Sequence, residues 1–331
     1  MTIRSAAPPS GPTLPPAGAP SVTALETPFT NPFTVYGIDF SSAPSLKKPI
    51  TVAVGQCDPS RSLYRLEHVS GLTSLPAFET FLTSPGPWVG GFDLPFGQPR
   101  PLIVHEGWPT DWRAFVAFYC AADRQALRTR FKAWCDGRPV GDKFAWRATD
   151  KPAGSSPAMR WTNPPVAWMM QAGVGRMVQA GLCFPAHGDH CPWDEAVHAL
   201  RDGEGHASAA LAWPRIALEA YPGFTARKVT TRSYKSDDRS RQDTDRAQNR
   251  QKILRALLQG SAGLRVRLQA SAPWIRHMTI DGSGDLIDAV ICALQAAHAA
   301  LQPGFGLPTE VDALEGWIAA VPSTRHDTMT P

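Results

Sequence analysis

Hydrophobic and polar positions change rhythm several times along this chain. Residues 1–30 show neither a period of two nor one of 3.6. Pro, Ala, Ser and Thr dominate them, and they read as a disordered tail. From about residue 33, short runs of β-formers alternate with turn-like stretches. FTVYGIDF (33–40), ITVAVGQC (50–57) and SLYRLEHV (62–69) have the spacing of a meander. LPAFETFLTS (75–84) predicts a short helix and PWVGGFDLPFG (87–97) a fourth strand. Residues 98–212 are rich in Trp, Pro and Arg and predict a long, mostly helical or irregular insertion. RIALEAYPG (215–223) restores the strand signal. RSRQDTDRAQNRQKILRALLQG (239–260) predicts a basic helix stopped by Gly260, and SGDLIDAVICALQAAHAALQPG (283–304) a last helix stopped before Pro303. The order β-β-β-α-β, insertion, β-α-α predicts an α/β domain over 31–320 with a C-terminal tail at 321–331.

The carboxylates change this picture most. Asp39 ends the first strand, whose preceding residues are apolar on both faces, and an ionised group there needs a partner. Asp93 ends the fourth strand, with Leu94–Pro95 forcing an extended exit. Glu219 lies near the end of the strand at 215–223. Asp285 and Asp288 are three apart, on one face of the last helix, and Ala289, Cys292, Ala293 and Ala296 let that helix lie close to a sheet. Each acid has an ordinary reading as a cap, an Asx turn or a solvent-facing residue. Gathered at element ends, they would repel one another unless a cation joins them. A hard divalent ion, Mg²⁺ or Mn²⁺, has the right ligand preference, and two such ions suit in-line attack on a phosphodiester.

The rest of the composition narrows the reading less. The net charge of +4 is compatible with a polyanionic partner without requiring one. Six scattered cysteines predict reduced thiols in a cytoplasmic protein rather than a disulfide framework, and no apolar run is long enough to span a membrane. Cys183, His187, His190 and Cys191 are zinc-ligand types, but adjacent His190 and Cys191 are awkward for one tetrahedral ion. Between residues 226 and 255, ten Lys or Arg stand against four Asp. Arg227, Lys228, Arg232 and Lys235 are therefore candidate phosphate contacts, although a solvated basic face accounts for such a run equally well.

YGIDFSSAP, GGFDLPFG, LEAYPG, DLIDAVICALQAA and EGWI (315–318) together resemble a family of predicted RNase H-like nucleases catalogued as a domain of unknown function (number four-two-nine). The resemblance runs over roughly residues 33–320. It implies a five-stranded mixed sheet, its first three strands antiparallel, flanked by helices, with the insertion between strands 4 and 5. It also implies metal ligation by Asp39, Asp93 and Asp288, with Asp285 in the same helical motif and Glu219 matching a family acid on the fifth strand. The insertion's RATDKPAGSSPAMRWTNPPVAWMMQAGVGRMVQAG (147–181) would form a lid over the acids, with Arg147, Asp150, Lys151 and Arg160 as candidate contacts to a nucleic-acid or nucleotide substrate, although solvated loop charges are the more frequent reading of such residues. Ser41 and Ser42 would bond a phosphate or cap the turn. The expected activity is a metal-dependent nuclease or phosphodiester hydrolase. A phosphotransferase of the actin-like or sugar-kinase type, and an inactive nucleic-acid-binding module, are the alternatives.

Overall fold

The computed structural model describes residues 29–191 and 214–322. Most of the predicted tails and residues 192–212 of the insertion lie outside them.

β1 (Phe33–Asp39), β2 (Ile50–Asp58) and β3 (Leu63–Leu72) form the predicted antiparallel meander, with a bulge between Val54 and Gly55. α1 (Leu75–Leu82) follows, held at its start by the Ser74 side chain. β4 (Trp88–Asp93) then pairs parallel to β1. The insertion folds as α2 (Arg100–His105), α3 (Trp112–Ala121), α4 (Arg124–Asp136), α5 (Asp150–Ala153) and α6 (Val166–Gln179). β5 (Arg215–Glu219) pairs parallel to β4, and α7 (Pro222–Val229) and α8 (Thr244–Gln259) follow. Gly260 ends α8 in the left-handed conformation, as its sequence predicts. β6 (Arg267–Gln269), α9 (Ala272–Ile280) and α10 (Asp285–Ala300) complete the chain of elements.

All strands belong to one mixed sheet, in the order β5-β4-β1-β2-β3-β6. The expected strand count of five is corrected to six. β6 pairs parallel to β3 over only three residues, too short a run to show a period in the sequence. The tail boundaries shift as well. Phe29 is buried against Phe33, and Val321 packs with Trp317 and Ile318.

The two faces of the sheet have different covers. Val35, Val89, Ile216 and Leu218 face α10 and the helices beside it. Ile38, Trp88, Phe92 and Ala217 face the insertion helices. This alternation along each strand decides which acids meet.

Candidate active site

Asp39 and Asp93 are register partners on β1 and β4, so their side chains leave the same edge of the sheet on the same face. Two residues earlier on each strand, Gly37 and Gly91 share that face. A Cβ on Gly37 would lie 1.9 Å from the Ala289 carbonyl oxygen, and one on Gly91 2.2 Å from that of Cys292. The missing side chains let α10 lie on the backbone of β1 and β4. Asp288, fully buried in the first turn of α10, comes to the same corner. Asp281 fixes that corner by accepting from the Leu286 amide at 2.9 Å and from Ser283. Asp285, one turn before Asp288, lines the cleft beyond it. The sequence signal for this convergence is the repeated Gly-x-Asp of YGIDF and GGFDL, read at a period of two.

The Asp288 carboxylate is already engaged. The Tyr234 hydroxyl donates to one oxygen at 2.6 Å, and the Lys235 ammonium is ion-paired with the other. Among the described residues, no donor is hydrogen-bonded to the Asp39 or Asp93 carboxylate. Burial raises Asp39 well above the usual carboxylate range, with Lys235 opposing and Asp288, Asp93 and Asp285 adding to the rise. Asp93 is pushed up to about 7 by burial, again against Lys235 and together with Asp288 and Glu219. Among the described residues, no three Asp, Glu, His or Cys side chains are grouped to hold a metal ion by themselves. The expected three-carboxylate cage is not formed among these residues, and the Asp288 carboxylate is held by Lys235 and Tyr234.

Glu219 reaches the wall of the same cleft from the other side of the sheet. It pairs in register with Phe92, not Asp93, so it projects from the opposite face of the sheet. There it receives two bonds from Arg147, at 2.6 and 2.8 Å, and one from the Phe96 amide at 3.0 Å. Arg147 also binds Asp150 through its side chain and its amide. Burial works against the guanidinium charge, but Asp150 and Glu219 outweigh it and hold Arg147 protonated. Burial pushes Glu219 above the usual carboxylate range, with the bidentate Arg147 pair and the Phe96 amide opposing the rise. Arg147 is 3% exposed and Asp150 has no exposure. These two anchor the insertion to the sheet, and Arg147 does so at the wall of the cleft. EGWI joins this anchor: the Glu315 carboxylate accepts from the Arg100 and Ala148 amides, and its carbonyl accepts from Arg147.

The remaining candidates divide between the cleft and the surface. A cleft of about 870 Å³ is lined by Asp39, Ser41, Ser42, Asp93, Asp285 and the stretch from Thr230 to Asp237, among others. Arg227 reaches its wall but donates to the Ala153 and Gly154 carbonyls. Lys228 lies over Phe224, outside the cleft lining, and Lys151 lies exposed near the Trp146 ring. The thiol reading needs correction at one place, where Cys183 and Cys191 form a disulfide. The turn at Pro185–His187, closed by Gly188 in the left-handed conformation, brings their Cα atoms to 5.9 Å. The bond withdraws both thiolates from any zinc site, and His187 Nδ1 is bonded to the Ala313 carbonyl. No helix among the described residues is long and apolar enough to cross a membrane.

No protein-family model, curated protein or solved structure matches this chain, so its site is read from its own geometry.

Proposed function

We propose that the chain is a divalent-metal-dependent phosphodiester hydrolase acting on nucleic acid or nucleotides, built on an RNase H-like sheet. One observation carries the reading. Asp39 and Asp93 lie side by side, partly buried, at the edge of a cleft, with no hydrogen-bond donor to either carboxylate among the described residues. Burial raises both carboxyls, with Asp288 adding to the rise of each and Asp93 to that of Asp39, an arrangement that a cation relieves. The donors are hard oxygens. Mg²⁺ commonly takes one or two carboxylates and completes its shell with water and phosphate oxygens, so a pair suffices. A bound ion would supply an activated water and neutralise charge at the phosphorus. The strand order, with acids ending β1 and β4 and opening α10, supports the RNase H-like resemblance. The wall containing Arg232, Lys235 and Lys48 suits a polyanion. A phosphotransferase of the actin-like type needs a second such domain across the cleft, and every strand among the described residues lies in one sheet.

The test compares the wild type with Asp39→Asn by thermal unfolding with and without Mn²⁺ and by cleavage of single-stranded, duplex and hybrid substrates. The raised Asp39 carboxyl makes its ionisation a cost to the metal-free fold, growing as pH rises above the usual carboxylate range. At neutral pH the metal-free variant is therefore expected to be at least as stable as the wild type. It is expected to gain less from Mn²⁺ and to lose on the order of 100-fold or more in cleavage. Equal stabilisation by Mn²⁺ in both proteins would overturn the reading.

A further inference from the structure

The position of Lys235 is built rather than incidental. Asn249 Nδ2 donates to the Ser233 carbonyl at 2.9 Å, and Arg250 Nη1 to the Tyr234 carbonyl at 2.5 Å. Both donors, on α8, are nearly fully buried. On the other side, the Ser236 amide donates to the Gly282 carbonyl at 3.1 Å. Gly284, with φ of 79°, opens α10 where a Cβ would lie 2.7 Å from the Lys235 Cβ. That conformation and that contact both exclude an ordinary side chain. Two helices and the loop between α9 and α10 thus hold one lysine stem in place. Its ammonium meets Asp288 and lies within electrostatic reach of Asp39 and Asp93. A solvated surface lysine needs none of this.

We propose that the carboxylate cluster takes a single divalent ion, on Asp39 and Asp93, and that the Lys235 ammonium on Asp288 fills the place of a second. The inference rests on the hydrolase reading and names the cations of that same site. Charge balance favours it. Three carboxylates carry three negative charges, which one divalent ion and one ammonium neutralise before substrate arrives. Two divalent ions beside the ammonium would leave an excess of two positive charges over these three carboxylates, and of one with Asp285 counted, in a partly buried corner. The geometry agrees, since Lys235 and Tyr234 occupy both oxygens of Asp288 while those of Asp39 and Asp93 have no donor among the described residues. Lys235 would then face the phosphate as a fixed positive charge opposite the metal.

The experiment is a titration of the full chain with Mn²⁺ in the absence of substrate, with free Mn²⁺ followed by electron paramagnetic resonance. One ion per wild-type chain is expected. Lys235→Met keeps the stem and removes the charge. It is expected to bind the first ion on the order of tenfold more tightly, or to admit a second. Lys235→Arg keeps the charge and is expected to stay at one. Should the Met variant fail the circular-dichroism check for folding, Lys235→Gln, which can still donate to Asp288, takes its place. Two ions in the wild type would overturn the inference while leaving the hydrolase reading standing. So would an uncharged variant with the number and affinity of the wild type. No Mn²⁺ binding by the wild type or by any variant would remove the hydrolase reading itself, and this inference with it.

Discussion

His187 shows burial as the main cause holding a side chain neutral. Its ring lies on Trp112, with centroids 4.1 Å apart, and only 7% of the residue is exposed. Nδ1 is bonded to the Ala313 carbonyl, while Nε2 has no partner to share a proton with. Burial, with Arg147 adding to it, depresses the imidazole to about 3 against the pull of the Ala313 carbonyl. Between pH 6.5 and about 3, the unfolded chain therefore binds a proton that the folded chain refuses, so this group removes stability as the pH falls. From pH 7 to pH 5 the loss from this one group is about 2 kcal/mol. His187→Asn is expected to lower stability at pH 7, by lost stacking, but to flatten the decline toward pH 5 by that amount. Urea unfolding of both proteins at the two pH values measures it; parallel declines would show that His187 is not held neutral.

α10 places the acids because two strands carry glycine where it crosses them. At Gly37, an added methyl would meet the Ala289 carbonyl oxygen at 1.9 Å and the Ala293 amide nitrogen at 2.3 Å, both backbone atoms of one helix. No rotamer change relieves such contacts, so α10 must lift off β1. Gly37→Ala is expected to cost about 3 kcal/mol, the upper part of the overpacking range, and to weaken Mn²⁺ stabilisation by shifting β1 and with it Asp39, two residues on, relative to Asp93. Denaturant unfolding with and without Mn²⁺ gives both quantities. A variant that keeps wild-type stability would show that the close approach is not required. The same contact explains the small residues at Ala289, Cys292, Ala293 and Ala296, which the sequence offers at helical spacing.

The insertion, the sheet and the C-terminal strap are held together through Arg147. One buried guanidinium joins Asp150 of the insertion, Glu219 of β5 and the Glu315 carbonyl of the strap. Ile318 then bridges to Glu219 along the edge of the sheet, and the Ala319 amide donates to the Glu219 carbonyl at 2.7 Å. Arg147→Met would leave two carboxylates buried without their cation, a loss of about 3–5 kcal/mol. Adding Glu219→Gln removes one of those charges and is expected to recover part of the loss. Unfolding of the single and double variants by guanidinium checks it. A double variant no more stable than the single one would show that Glu219 is not the stranded charge. Glu219 is accordingly expected to act through the fold, in contrast to Asp39.

Much of this arrangement was legible along the chain. The meander at β1 to β3, β4 and β5, α1, and the long helices α8 and α10 follow from local periodicity and from stops such as Gly260. So do the positions of Asp39 and Asp93 at strand ends, because a strand that ends in a buried acid looks unusual in one dimension. β6 was hidden because three residues carry no period, and the Cys183–Cys191 bond because only the turn between them sets their separation. Which acids meet was decided in three dimensions. Register and the alternation of side chains put Asp39 and Asp93 on the α10 face and Glu219 on the other. Lys235 could be seen in the sequence as one of ten basic residues, but not as the partner of Asp288. That assignment depends on α8 and Gly284 carrying it more than fifty residues along the chain to α10, and charge pairing over such a separation leaves no local pattern to read.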